Sequence, residues 1–458
     1  MAALRVVLLA TYELGRQPFG LASPAAWLAR EGCDVRCVDL SVDELDSSSC
    51  ATADLVAFHL PMHTATRLAA RVLSRVRALN SRAHICFYGL YAPLNEGHLR
   101  ELGGQTILGG EFETGLVSLV RRLESGRPGE QTEPVVSLER QQFPTPDRSG
   151  LAELQRYAGL QLASGERRTV GYTEASRGCK YLCRHCPVVP VYGGRFRIVQ
   201  PETVLEDIRG QVARGAQHIT FGDPDFLNGP RHALAIVESV HEEFPGLTYD
   251  ITVKIEHLLK HRRTLQPLRE TGCLLVTTAV ESFDDHVLEL LDKGHTHADV
   301  VEAVRLTRRA EIHVNPTFVP FTPWQTPRGY VEFLRTIVEL DLVDDVAPVQ
   351  YAIRLLITTG SRLLELPAIR QLVGEFDAQG LLYPWVHPDP RVDALQQSVL
   401  RTVHAARHGE ESRRAIFRRV CGLALEASGA SAARAIDLST LDRRARATVP
   451  YLTEPWYC

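Results

Sequence analysis

One run constrains this chain more than any other stretch: Cys179-Lys180-Tyr181-Leu182-Cys183-Arg184-His185-Cys186. Three thiols are separated by three and then two residues. Thiolates are soft donors that suit iron–sulfur clusters, zinc and copper(I). A cubane cluster commonly takes four cysteines, so a run that supplies three leaves one iron open to an outside ligand. Structural zinc sites pair one CxxC with a second, distant pair, and the next cysteine here is Cys273. His185 as a fourth zinc ligand would sit inside the run, where the geometry is tight. A disulfide is disfavoured in a reducing compartment. The run follows Gly171-Tyr172-Thr173-Glu174-Ala175-Ser176-Arg177-Gly178, a predicted strand that turns at a glycine. Pro187 and a long alternation of strand and helix patterns follow it.

A chain of 458 residues predicts two or three domains. Its hydrophobic share of 45% and charged share of 23% are those of a soluble globular protein. A formal net charge of −4 gives no strong field for nucleic acid or an acidic membrane. No apolar run approaches the length of a membrane span. The start, Met1 to Ala10, reads as a first strand rather than a signal peptide, because its short apolar core runs straight into Thr11-Tyr12-Glu13. Ten cysteines, irregularly spaced outside the central trio, fit a reducing cytosol. The expectation is a cytoplasmic protein with no nucleic-acid or membrane partner.

Residues 1–125 alternate strand (4–10, 34–39, 55–60, 85–89, 106–108) with helix (23–30, 64–79, 96–102, 113–124), the pattern of a Rossmann-like, doubly wound sheet. Ser23 is read as an N-cap with Pro24 at the first helical position. Gly109 and Gly110, before a helix, would let backbone approach a ligand. His59 and His63 read as surface histidines on a loop. Residues 126–168 read as a linker rich in Gly, Pro, Glu and Gln. Residues 169–360 return to strand then helix (strands 170–174, 218–221, 248–254, 273–278, 313–319 and 350–357), a partial (β/α)6 barrel whose chemistry would sit at strand C-terminal ends. Residues 361–458 read as a mostly helical C-terminal region, in which Arg413, Arg414, Arg418 and Arg419 form a solvated face paired with Glu410 and Glu411.

The spacing CxxxCxxC is the signature of the radical S-adenosylmethionine (SAM) enzymes, and this chain resembles them. The resemblance implies a [4Fe–4S] cluster on Cys179, Cys183 and Cys186, with SAM on the open iron. One departure is His185, where many members carry an aromatic. The turn Gly222-Asp223-Pro224-Asp225 resembles the family's glycine-rich turn for the SAM amino group. Lys254 and Glu256 would reach the SAM carboxylate and ribose. Glu281-Ser282 matches the family's acid–serine run, and Pro316 and Arg354 follow the fifth and sixth strands. An acid or serine at such a position is also a common N-cap. The protein would orient SAM and exclude water while the cofactor carries the chemistry.

The N-terminal layout and the run Gly109-Gly110-Glu111-Phe112-Glu113 resemble the cobalamin-binding domain that precedes many radical SAM cores. The usual DxHxxG run is absent, so either cobalamin binds without histidine ligation or the fold has lost or changed its ligand. Across its length the chain looks like the radical SAM proteins with a CUAEP or CCAEP tail and the radical SAM enzyme of arsinothricin synthesis. That resemblance makes Cys458 a candidate catalytic residue, followed in the full protein by selenocysteine and Ala-Glu-Pro. It implies transfer of the 3-amino-3-carboxypropyl group of SAM to arsenic(III) or selenium, on a small-molecule or metalloid substrate, with a flavodoxin or ferredoxin as electron donor. Two alternatives stand beside it: a cobalamin-dependent radical SAM methyltransferase, and a non-catalytic iron–sulfur sensor or scaffold.

Overall fold

The computed structural model describes residues 3–126, 131–406, 411–429, 436, 438 and 450–453. Cys458 and its neighbours lie outside the described residues. The chain is an α/β protein built on two main sheets with a helical C-terminal region. The first sheet is six strands: β1 (Arg5–Ala10), β2 (Asp34–Asp39), β3 (Leu55–His59), β4 (His84–Tyr88), β5 (Thr106–Gly110) and β6 (Val136–Ser137). All pair in parallel, in the order β2-β1-β3-β4-β5-β6. β3, β4 and β5 are buried at every position, as expected when helices cover both faces of a parallel sheet. The order reverses between β1 and β3, and the crevice outside the carboxyl ends at such a switch point is where α/β sheets bind ligands.

The linker segment is more structured than its composition suggests. β6 extends the first sheet, and Arg148 is buried between Asp207, at 2.7 Å, and the side-chain oxygen of Gln17. β7 (Gly159–Gln161) then pairs antiparallel with β8 (Arg167–Thr173). A two-stranded antiparallel ribbon follows, β9 (Ser176–Gly178) with β10 (Phe196–Ile198). The second main sheet continues through β11 (His218–Phe221), β12 (Thr248–Thr252), β13 (Cys273–Glu281) and β14 (His313–Phe318), and β15 (Tyr451–Leu452) closes its other edge. β8, β11, β12, β13 and β14 are mutually parallel and form a curled half-barrel. Helices Pro201–Ala213, Pro230–Glu243, His297–Arg309 and Pro327–Glu339 cover it. Helices Pro390–Ala406 and Arg413–Ser428 bury Val392, Val399, Phe417 and Val420 against the same core.

Four local expectations change. The first helix begins at Phe19, four residues before Ser23, and Pro24 lies inside it; the Ser23 hydroxyl donates to Glu113 at 2.7 Å instead of capping. The predicted sixth barrel strand over 350–357 is replaced by a 3-10 turn, Pro348–Tyr351, and a single parallel bridge, Phe321 to Arg354. His59 is buried, its ring tilted against Tyr88 at 5.3 Å between ring centroids. Of the C-terminal arginines, Arg419 pairs with Glu411, but Arg414 pairs with Asp344 and Arg413 lies over the Tyr451 ring.

The glycine pair serves packing. A Cβ at Gly109 would lie 2.5 Å from the Pro93 ring, and one at Gly110 would lie 2.2 Å from the Ser137 carbonyl oxygen. Gly110 also has φ +68°, a conformation that favours glycine. Gly110→Ala is therefore expected to cost about 1–3 kcal/mol, read as a lower denaturant midpoint, because β6 must move to admit the methyl group.

Candidate functional site

The cysteine run begins where β9 ends. Gly178 has φ +76°, and a Cβ there would lie 2.4 Å from Tyr192 and 2.5 Å from the Arg195 carbonyl oxygen, so the turn into Cys179 requires glycine. The loop that follows is tied down from several sides. Arg184 N–H donates to the Leu291 carbonyl, and Arg184's own carbonyl accepts from Leu363 N–H and the Ser361 hydroxyl. Cys186 N–H closes a turn on the Cys183 carbonyl at 3.2 Å. Val188, Val191 and Tyr192, just after the run, pack into the core of the first sheet, with Cys179 and Cys186 against the same core. The loop is thus held between the two sheets.

The three thiols share one neighbourhood. Burial pushes the Cys179 thiol up to about 11 and the Cys186 thiol up to about 12, and each also feels the charge of the other two or of Cys183. Among the described residues no three donor side chains converge on a single ion. A cubane makes no such demand, because each thiolate binds a different corner iron. Two lysines stand beside the sulfurs. Lys254 Nζ lies 3.5 Å from Cys183 Sγ, donates to the Lys293 carbonyl at 2.9 Å and sits 3.5 Å from the Tyr181 ring centroid. Lys293 Nζ lies 3.3 Å from Glu281, which also holds His185 Nε2 at 3.2 Å. Burial works against ionising Glu281, but Lys293 and His185 outweigh it and hold its carboxyl down at about 2. Glu281 has φ +67° at a bulge that ends β13, a strained position of the kind that clusters at functional sites. His185 lies inside the cysteine run and Lys293 on the loop after β13, and only the fold reveals their common partner.

The other predicted residues divide into three groups. Asp225, Lys254, Glu256 and Glu281 gather near the run: His257 Nδ1 lies 2.7 Å from Asp225, and Lys254 Nζ lies 2.5 Å from Glu256. The Tyr181 ring packs on His257 at 5.0 Å. Asp223, Ser282, Pro316 and Arg354 have structural partners. Asp223 accepts from Ala175 N–H and the Ser176 hydroxyl, fixing the strand end that leads to the cysteines, and burial pushes its carboxyl up to about 7. Ser282 accepts from Asp284 N–H, and Pro316 is buried inside β14 opposite Thr278. Arg354 pairs with Asp393 and lies 3.5 Å over the Trp385 ring, so its cation faces the C-terminal region. Gly222 and Pro224 line a different space, the crevice at the switch point.

That crevice encloses about 210 Å³. Glu13, Arg16 and His59 line it from the first sheet, Tyr172, Glu174 and Arg177 from the second, and Gly178 and Val188 from the borders of the cysteine run. Arg177 is the hub between the sheets. Its guanidinium makes a two-point contact with Glu113 at 2.7 and 2.9 Å, reaches Glu174 at 2.7 Å and lies 3.8 Å from Glu111. Phe112 and Phe143 lie 5.1 and 5.0 Å from it. Sequence gave no signal for this residue, because Glu113, its two-point partner, is brought in from 64 positions away.

Residues 173–337 match the Radical SAM superfamily. The chain carries a radical SAM domain. It is an enzyme domain, and it begins at the end of β8 and takes in the cysteine run and β11–β14. Among curated relatives the chain is similar to the hopanoid C-3 methylase of Methylococcus capsulatus, 25% identical over 331 residues, covering 68% of this chain and 62% of the relative. It is also similar to an uncharacterized methyltransferase of Pyrococcus horikoshii, 23% identical over 173 residues, covering 38% of this chain and 37% of the relative. The chain thus spans about a third to two thirds of the length of these relatives. Among solved structures, the methyltransferase TsrM from Kitasatospora setae has a TM-score of 0.63 at 17% identity, covering 96% of this chain and 99% of that one. The cobalamin-dependent enzyme OxsB has a TM-score of 0.69 at 15% identity, covering 93% and 71%. TsrM has been seen with cobalamin and a [4Fe–4S] cluster bound, and OxsB with aqua-cobalamin and SAM bound. At these identities the likeness is one of fold. No helix among the described residues is long and apolar enough to cross a membrane.

Proposed function

We propose that the protein is a radical SAM transferase that holds a [4Fe–4S] cluster on Cys179, Cys183 and Cys186 and moves a SAM-derived group to a small molecule. The observation that carries this reading is the grouping of three thiols, the buried Cys183 and the half-buried Cys179 and Cys186, with Lys254 3.5 Å from Cys183, in a loop fixed between the two sheets. The donor set fits a cluster: three soft ligands, an open fourth position and cations that offset the charge of the thiolates. When bound, the cluster supplies the electron that opens a carbon–sulfur bond of SAM. Lys254 and Lys293 neutralise the sulfur side of the site, and Glu281 keeps Lys293 and His185 in place. Lys254 and Glu256 pair with each other, so taking up SAM exchanges that pair for contacts to its carboxylate and ribose. A flavodoxin or ferredoxin is the natural donor class for such a site.

The comparisons favour methyl over 3-amino-3-carboxypropyl as the group moved, since the relatives and the TsrM neighbour are methyl-transferring enzymes by name. Cobalamin, which the neighbours bind, does not fit the switch-point crevice as it stands. The loop from Thr11 to Gly20 carries no histidine. The sides of Gly109 and Gly110 are taken by Pro93 and Ser137. His59, Tyr88 and Phe112 pack together ring against ring, leaving about 210 Å³, below the about 300–1,000 Å³ of pockets for drug-sized ligands, and a corrin is larger still. No step is assigned to it.

Anaerobic reconstitution with iron and sulfide, then SAM and dithionite, tests the reading through the products. 5′-Deoxyadenosine or S-adenosylhomocysteine is expected. 5′-Methylthioadenosine with an aminobutyrate fragment would instead support aminocarboxypropyl transfer and make arsenic(III) the first acceptor to try. Cluster uptake with no cleavage of SAM would overturn the enzyme reading in favour of a sensor.

A further inference from the structure

The cysteine run lies in a stretch without acids. Residues 175–201 contain no Asp or Glu, but they carry Arg177, Lys180, Arg184, Arg195 and Arg197. The whole chain has 55 acids against 51 Lys and Arg, so this excess of positive charge is local. Arg177 points inwards and is neutralised by Glu113 and Glu174. The other four cations have no acid partner among the described residues. Arg184 donates to the carbonyls of Glu289 and Leu290, and Arg197 to those of Leu138 and Phe196. A carbonyl accepts a hydrogen bond without cancelling a unit charge. Lys180 is exposed, with its ammonium 4.9 Å from the Phe196 ring centroid, and Arg195 is exposed as well. The acids nearest on this side, Asp292 and Glu365, are both taken by Arg362, which also donates to the Leu182 carbonyl.

These charges rim an apolar patch. Leu182 is 44% exposed and Ile198 48%. A methyl group at Gly194 would lie 3.2 Å from the Leu182 side chain, so the turn that carries Arg195 rests against the middle of the cysteine run. Ile198 shares one face of β10 with Phe196. Exposed apolar side chains with a charged rim mark a protein-docking surface. Lys180 follows Cys179 and Leu182 precedes Cys183, so a protein seated here covers the thiol loop from outside.

We propose that this face, centred on Leu182 and Ile198 and rimmed by Lys180 and Arg195, docks an acidic one-electron carrier protein. The proposal rests on the radical SAM transferase reading, which needs an electron from outside, and adds where the donor binds and what selects it. In each encounter the reduced carrier loses one electron and the cluster gains it; no bond is made or broken. The cations steer and orient the carrier, and the small apolar patch suits the weak, short-lived contact typical of electron transfer.

The test follows the absorbance of the reconstituted full chain on rapid mixing with a pre-reduced acidic flavodoxin or acidic ferredoxin. The rate of cluster reduction is expected to fall about tenfold or more between about 0.01 M and about 0.15 M ionic strength, as the screening length shortens from about 30 Å to about 8 Å. Arg195→Glu combined with Lys180→Gln should lose about tenfold at low salt and flatten the salt dependence. Arg419→Glu, the same reversal of charge on a C-terminal helix, should keep the wild-type rate. The methyl viologen radical, a small cation, should reduce the double variant at least as fast as the wild type, which a damaged loop would not allow. Should the double variant fail to fold, the salt series on the wild type still decides. Wild-type rates independent of salt, or a double variant reduced at the wild-type rate by both carriers, would overturn the proposal. Single-stranded RNA retained by the wild type and released by the double variant, with no reduction by either carrier, would give the face to nucleic acid instead. Reduction by viologen without any carrier effect removes this inference alone, whereas a chain that no donor reduces removes the transferase reading.

Discussion

Cys183→Ser is expected to bring SAM cleavage to background and to remove the broad visible absorbance of the reconstituted protein. A hydroxyl is a hard, weakly acidic donor and a poor ligand for iron in a sulfide cluster. The position leaves no room for a substitute: Cys183 is 6% exposed, with Lys254 3.5 Å from its sulfur. Cys179→Ser and Cys186→Ser are expected to behave alike, because each would supply one corner of the same cubane. Cys273 is the control. It is fully buried in β13 and its thiol donates weakly to the Leu275 carbonyl. Cys273→Ala should therefore cost about 0.5–3 kcal/mol of stability and leave iron content and SAM cleavage in place. A Cys183→Ser protein that cleaves SAM at a comparable rate would remove the ligand assignment.

Arg177→Gln is expected to destabilise the protein by about 3–5 kcal/mol, the cost of breaking a buried charge pair by removing one partner. The guanidinium is held by Glu113, Glu174 and Glu111, and its side chain is 8% exposed. Without it, several carboxylates are left buried with no cation. Arg177→Lys should recover only part of the loss, because an ammonium cannot reproduce the two-point contact with Glu113. The pH dependence carries a sign. Burial already pushes Glu111 up to about 7 against the opposing pull of Arg177, so the folded chain holds a proton there that the unfolded chain releases near its ordinary value of about 4.3. Stability contributed this way is present below that value and is lost as pH rises towards 7. Removing Arg177 takes away the pull that lowers Glu111 and Glu174, so their folded values rise further. The deficit of Arg177→Gln, read from urea midpoints, should then be smallest in acid and grow towards neutral pH. A deficit independent of pH would show that the carboxylates do not carry it.

Strand and helix periodicity made most of the architecture readable. β2, β11 and the helix Glu113–Glu124 begin and end where the pattern of apolar residues predicts. The misses have physical causes. Proline at Pro24 suggested a helix start, but the first four positions of any helix lack internal partners, and here the buried Phe19–Ala22 turn extends it backwards. The segment 350–357 has strand-like composition, yet Arg354 is drawn out to Asp393 and Trp385, which leaves a single bridge to Phe321. Gly109 and Gly110 suggested a ligand cradle, and proved instead to make room for Pro93 and Ser137. His59 offered no sign in the sequence of whether it faces water or the core.

What the sequence determined by itself is chemical and local. The spacing of Cys179, Cys183 and Cys186 names a cluster chemistry, because three thiols on one short loop need no tertiary partner to be recognised. The alternating strand and helix patterns name two α/β units, because periodicity is a property of each segment. What only the tertiary structure decided is which charges meet. Lys254 reaches the Cys183 thiol from 71 positions along the chain, Arg177 gathers Glu111 and Glu113 from the first sheet, and Glu13 faces His59 over the crevice. These are contacts between residues tens of positions apart, and their energies depend on burial. A buried charge is tolerated only beside its partner, and which partner is present is set by how the sheets pack.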